Sequence, residues 1–182
     1  MRKVLLVTGG SRGIGAATSI LAAQKGWAVA VNYTSNSQAA DDVVAQIKKA
    51  GGEAMSVQAD VANEEQVLAM FEKVRSTLGP LQGLVNNAGR GMREISESFN
   101  VEPALFWQAN PQGFRNIIDA NVIGPFMMAR ACVPSMVKQG FGRVVNISTS
   151  AVTMVRTGYS PYGPSKSALE AMSAVWSKDL AG

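Results

Sequence analysis

The stretch that most restricts the fold is the beginning of the chain, where the apolar run KVLLVT leads without a break into TGGSRGIG, Thr8 to Gly15. A strand of this length, a cluster of glycines and then a helical pattern starting near Ile14 define a βα unit. The glycines Gly9, Gly13 and Gly15 follow a GxxxGxG spacing. Such a turn needs φ > 0, a backbone that a ligand can approach, and a helix packed close to the sheet. The helix start then offers unpaired N–H groups and the positive end of its dipole to an anion. No GK[ST] follows, so a nucleoside-triphosphate loop is not expected. A purely structural turn could use the same residues, but its place in the first βα unit points to a pyrophosphate.

The rest of the chain repeats the rhythm. The runs AVAVNY, EAMSVQAD, QGLVNNA and GRVVNIS alternate with helical segments beginning near Ser37, Asn63, Gly113 and Ser160. Short apolar runs separated by helices imply a parallel sheet covered on both faces. Asn63 with Gln66 forms a helix-capping pattern, and Ala50 to Gly52 is a helix stop. One segment breaks the rhythm: RGMREISESFNVEPALFWQANPQ is long for a βα connection. It carries Phe99, Phe106 and Trp107. It is either a lid over a ligand or a helical excursion packing its own aromatics.

Composition excludes several chemistries. The chain has no histidine, which removes Ser-His hydrolysis, His-ligated zinc and imidazole acid/base schemes. Proton transfer must use Tyr, Lys, Asp, Glu or water. A balance of 17 Lys+Arg against 13 Asp+Glu, without a run of like charge, gives no expectation of a nucleic-acid or membrane partner. The one cysteine, Cys132, rules out an internal disulfide, and a cytoplasmic location is expected. The 182 residues suit a single domain.

Near the end stands YGPSK, with Tyr162 and Lys166 at i and i+4. On a helix they share one face. Pro164 is tolerated if the helix starts around Ser160 or Pro161, since a first-turn N–H would be unpaired anyway. A free tyrosine has a pKa of about 10, and a neighbouring ammonium brings it toward the range of efficient proton transfer. Together TGGSRGIG, NNAG (Asn86 to Gly89) and YGPSK resemble, in order and in sheet position, the short-chain dehydrogenase/reductase family, from residue 3 to the end.

That resemblance implies a Rossmann-type doubly wound parallel sheet in three α/β/α layers, with strand order 3-2-1-4-5. It implies interconversion of a carbonyl and a secondary alcohol, with hydride carried by a nicotinamide cofactor. Tyr162 would exchange the proton, and Lys166 would also hold the nicotinamide ribose. Gly9, Ser11, Arg12, Gly13, Ile14 and Gly15 would cradle the cofactor, Asp60 and Val61 would meet the adenine, and Asn87, Ala88 and Gly89 would run under the adenosine ribose. The family's serine stands thirteen residues before its tyrosine, and here that position is Thr149, with Ser148 as the alternative. Asn121 matches the residue that holds a water linking the lysine to solvent. Pro125, four residues on, cannot donate to its carbonyl.

Cofactor choice can be argued from the second strand. NAD-preferring folds place an acid about twenty residues beyond the glycine turn, but here Tyr33 stands there and no carboxylate occurs before Asp41. Arg12, with Asn32, Thr34 and Ser35, would suit a 2′-phosphate. NADP(H) is therefore expected over NAD(H). The rival is a dinucleotide-binding module or scaffold without turnover. The substrate is expected to be a small carbonyl compound or alcohol. The family also implies a homodimer or homotetramer, and a longer native chain or a partner to cover RVVNIS at the sheet edge.

Overall fold

In the computed structural model, which describes residues 2–181, the five apolar runs become β1 (Val4–Val7), β2 (Ala28–Tyr33), β3 (Glu53–Gln58), β4 (Leu81–Asn86) and β5 (Arg143–Asn146). They form one sheet in the order β3-β2-β1-β4-β5. β1 pairs in parallel with β2 and β4, and β2 with β3. The backbone groups into two compact units, Met1–Ala88 with Phe126–Val145, and Gly89–Pro125 with Asn146–Gly182.

In the first unit, α1 (Gly13–Gln24), α2 (Ser37–Lys49), α3 (Glu64–Leu78) and most of α5 (Gly124–Lys138) cover the sheet. One face packs Val67, Met70 and Val74 of α3 and Met128, Cys132 and Met136 of α5 against Val4, Leu6, Ala28, Ala30 and Leu84. The other meets α1 and α2, where Ala40, Val43, Val44 and Ile47 are buried. Cover on both faces explains why β1 and β2 show no polar alternation. Each fully buried Val or Leu contributes about 1.5–3 kcal/mol relative to exposure. Cys132 is a core residue, and burial pushes its thiol up to about 12.

The expected caps hold with one change. Asn63 accepts from Gln66 N at 3.0 Å, but the Gln66 side chain accepts from Asp60 N at 2.9 Å. The cap is thus tied to the exit of β3. Gly51, at φ +79°, ends α2 as its sequence position demands.

In the second unit, the helix expected near Gly113 is broken into α4 (Pro111–Ile118) and a π turn (Asp119–Ile123), which leads into α5. Pro125 explains the widening, because it has no N–H to give the Asn121 carbonyl and its ring crowds the preceding turn. Gly124 N instead donates to the carbonyl of Asp119. A short α6 (Ala151–Met154), absent from the sequence expectation, precedes α7 (Tyr162–Asp179). α7 begins at Tyr162 rather than at Ser160 or Pro161, a shift within the usual uncertainty of helix ends. β5 is an edge strand with Val145 49% exposed.

Candidate active site

The glycine turn is built by hydrogen bonds that also fix the ends of β2 and β4. Thr8, 1% exposed, donates through its hydroxyl to Val85 O at 3.2 Å and accepts from the N–H groups of Asn87 and Ala88 at 3.0 and 2.9 Å. Asn87 Nδ2 donates to Thr8 O and Gly9 O at 2.9 and 3.1 Å. Gly9 takes φ +58°, a region that side chains disfavour. A Cβ on Gly15 would overlap the Gly9 carbonyl oxygen and stand 2.6 Å from Asn87 Nδ2. Glycine at 15 is therefore what lets α1 approach the turn.

Asn32 departs from expectation. It is buried at 1%, its Oδ1 accepts from Gly9 N at 3.2 Å, and its Nδ2 donates to Ala59 O at 3.0 Å. Its carboxamide braces the turn against β3 and is not presented to a phosphate. Thr34 and Ser35 are exposed, as is Arg12, while Ser11 and Tyr33 are half-buried. Arg12 precedes α1 without capping it, and no acid lies in that helix's first turn. Ile14 is exposed and Val61 is buried. Asp60 closes an Asx turn, its Oδ1 accepting from Ala62 N at 2.9 Å. A pyrophosphate fits this turn: the N–H groups of the first α1 residues lack intrahelical acceptors, and the space beside Gly13 is open.

In the second unit, Tyr162 and Lys166 stand one turn apart on α7, the ammonium 6.0 Å from the phenol ring centroid. Lys166 is 6% exposed and donates to Ile147 O at 2.8 Å. Burial lowers its pKa from the usual lysine range. Gly163 is required because any side chain there would overlap the Met154 carbonyl at the end of α6. Tyr159 meets the Tyr162 ring edge-on at 6.2 Å and is itself met by Phe99 at 6.1 Å. Phe99 of the long loop thus packs beside the tyrosines, whereas Phe106 and Trp107 remain exposed.

Asn121, fully buried, is held by a reciprocal pair with the Arg90 backbone: Arg90 N donates to Oδ1 at 2.8 Å and Nδ2 donates to Arg90 O at 3.0 Å. Nδ2 also donates to Ser165 Oγ at 3.0 Å, which donates to Tyr162 O at 2.6 Å. The side chain is spent on structure. A Cβ on Gly89 would lie 3.0 Å from Asn121 Oδ1 and 3.8 Å from Lys166 Nζ, so glycine is needed for the close packing here. Arg90 itself pairs with Glu94 at 2.9 Å. The Asn116 amide, then the Arg90 guanidinium, hold the Glu94 carboxyl below its usual range against its partial burial.

The three hydroxyls after β5 separate in role. Ser148 Oγ donates to Glu170 Oε1 at 2.7 Å. Ser150 caps α6 by accepting from Thr153 N. The Thr149 hydroxyl, like that of Tyr162, has no hydrogen-bond partner among the described residues. Glu170 and Ser165 were not foreseen from the sequence. The continuation of the 162/166 stripe by one more turn would have found Glu170.

A parallel sheet of this order with a glycine turn after β1 is the Rossmann-type fold of dinucleotide-dependent oxidoreductases. The chain belongs to the short-chain dehydrogenase family, whose model matches residues 3–182, and is thereby an NAD(P)-dependent dehydrogenase or reductase. It is 38% identical over 98% of its length to a 3-oxoacyl-[acyl-carrier-protein] reductase of Synechocystis, of which it covers 68%. It is 40% identical over 98% of its length to the Escherichia coli oxidoreductase YgfF, of which it covers 70%. A crystal structure of a metagenomic short-chain oxidoreductase in complex with NADP superposes with a TM-score of 0.88 at 28% identity, over 98% of this chain and 76% of that one. Among the described residues no helix is long and apolar enough to cross a membrane.

Proposed function

We propose that the protein interconverts a carbonyl and a secondary alcohol with NADP(H), using Tyr162 as the acid/base, Lys166 as its electrostatic partner and Thr149 as the hydroxyl that binds the reacting oxygen. The observation that carries this reading is the division of labour after β5, where Ser148 and Ser150 are committed and Thr149 is not. Its methyl group stiffens χ1, which helps to aim the hydroxyl.

When bound, the nicotinamide supplies or accepts the hydride. The turn from Gly9 to Gly15 and the start of α1 would hold its pyrophosphate, with Asp60, Val61, Asn87, Ala88 and Gly89 along the adenosine. In reduction, the Tyr162 phenol gives its proton to the oxygen that Thr149 binds. In oxidation, the phenolate takes that proton back. The Lys166 ammonium, 6.0 Å from the phenol ring centroid, is the cationic group that α7 places beside the proton-transferring tyrosine. With its side chain committed, Asn121 can serve a proton relay only through its main-chain carbonyl.

NADP(H) is favoured by the absence of an acid at the end of β2. Asp41, the first carboxylate beyond it, is engaged by Ser56 Oγ at 2.6 Å. Arg12, Thr34 and Ser35 remain exposed for a 2′-phosphate, and the metagenomic relative is described with NADP. The Synechocystis relative's name makes 3-oxoacyl thioesters the first substrates to try, beside ketoses, steroids and small ketones.

The test is NADPH consumption over that carbonyl panel. Tyr162→Phe is expected to keep cofactor binding and lose about 10²–10⁴ in turnover. Thr149→Ala is expected to lose about 10²–10³. A Tyr162→Phe variant as active as wild type would refute the assignment, and a wild type that binds NADPH but turns over nothing would favour the non-catalytic module.

A further inference from the structure

The segment that leaves β5 is fastened to α7 at three consecutive residues. Asn146 Nδ2 donates to Ser173 Oγ at 2.7 Å, and that hydroxyl donates to Leu169 O at 2.7 Å. Ile147 O accepts from Lys166 Nζ, and Ser148 Oγ donates to Glu170 Oε1. Residues 166, 170 and 173 are spaced by four and three, so they form a single stripe with Tyr162 on one helix face. The next residue of the segment is Thr149.

We propose that Glu170 and Ser173 are positioning residues that set the register of this segment on α7 and so deliver the Thr149 hydroxyl to Tyr162; the proposal rests on the role given to Thr149 above. Lys166 belongs to both functions, since the ammonium beside the phenol also holds the middle rung. An extended chain advances about 3.3 Å per residue, so a slip by one residue moves the hydroxyl by roughly that distance. Misplacement by about 1 Å can cost 10²-fold in rate. Glu170 is the rung best able to resist a slip. Its carboxylate is a charged acceptor at short range, while its exposure keeps the contribution to overall stability small.

The experiment uses the full chain and the panel compound that wild type reduces fastest, with kcat, KM for NADPH and thermal stability measured for each variant. Glu170→Ala is expected to lower kcat about tenfold or more and to leave KM for NADPH within about twofold. Glu170→Gln, whose amide oxygen still accepts from Ser148, is expected to recover most of that loss. The double variant Ser148→Ala/Glu170→Ala is expected to be no slower than the worse single variant, because both remove the same rung. Ser173→Ala is expected to reduce kcat in the same sense.

Unchanged kcat in Glu170→Ala and Ser173→Ala, with only the melting temperature moved, would overturn the proposal by reducing the rungs to structural ties. Additive losses in the Ser148/Glu170 pair would overturn it as well. The Thr149→Ala variant separates the two levels. If it is slow while the rung variants are not, the register idea alone fails; if it turns over like wild type, the role of Thr149 fails and the proposal with it.

Discussion

Replacing Gly15 with alanine tests the glycine turn at the point where the sequence is least forgiving. The new Cβ would overlap the Gly9 carbonyl oxygen, lie 2.6 Å from Asn87 Nδ2 and lie 3.0 Å from Gly10 Cα. Ordinary contact begins near 3.4 Å, so α1 or the turn must move by roughly 0.8 Å to clear the Asn87 amide alone. Overpacking of this kind costs about 1–3 kcal/mol. For a chain of this size each kcal/mol lowers the melting temperature by about 2–4 °C, giving a fall of about 2–12 °C. The displaced atoms include the Gly9 carbonyl that Asn87 Nδ2 holds at 3.1 Å, so NADPH binding should weaken about tenfold or more, equivalent to about 1.4 kcal/mol. Gly26→Ala is the control. Unlike the helical Gly15, it has a left-handed backbone, φ +88°, with open space for a Cβ, so it carries backbone strain without the close contact. It should lower stability by about 1–2 kcal/mol and leave NADPH binding unchanged. Circular dichroism melts and fluorescence titration with NADPH measure both quantities. A Gly15→Ala protein that melts and binds like wild type would show that α1 does not approach the turn so closely.

The remaining predictions concern charge and buried hydrogen bonds. Arg12→Ala should reduce the preference for NADP over NAD in paired titrations, and an unchanged ratio would remove Arg12 from 2′-phosphate recognition. Asn32→Ala leaves the Gly9 N–H and the Ala59 carbonyl without their partner, which should cost about 1–3 kcal/mol in the cofactor-free protein; a change in NADP/NAD ratio without loss of stability would contradict its bracing role. Lys166 has its pKa lowered by burial, so the folded state releases its proton before the unfolded state does. Its charge therefore penalises folding at neutral pH, and the penalty should fade as pH rises through the folded pKa toward the ordinary lysine range. Denaturant titrations should show wild type gaining stability relative to Lys166→Met over that window; parallel curves would speak against a buried ammonium.

The sheet was legible because its signals are local and repeated. Strand-length apolar runs, a glycine turn after the first and helical segments between them leave few alternatives to a parallel sheet covered by helices, while its order β3-β2-β1-β4-β5 is what the family resemblance implied. Pro125 similarly announced trouble in its helix. The form of that trouble, a π turn from Asp119 to Ile123 in which Gly124 N donates to the Asp119 carbonyl, is a choice of backbone hydrogen bonding that sequence spacing does not encode. The short α6 was missed because four residues carry no periodicity, yet Gly163 is glycine on its account.

The candidate site was legible by residue type and much less so by role. Asn32, Thr34 and Ser35 look alike as polar groups at the end of β2, but strand alternation and two hydrogen bonds turn Asn32 inward. The choice between Ser148 and Thr149 likewise depends on a partner twenty-two positions further on, since Glu170 takes the Ser148 hydroxyl. Chemistry of this kind is assigned by subtraction. A run of three adjacent hydroxyls offers three candidates until the fold engages two of them, Ser148 with the Glu170 carboxylate and Ser150 with the Thr153 N–H. On the role proposed for Thr149, the identity of the reacting hydroxyl would be a property of the α7 face as much as of the residue itself. That is why an alanine at Glu170, an exposed position, should slow turnover more than its small contribution to stability would suggest.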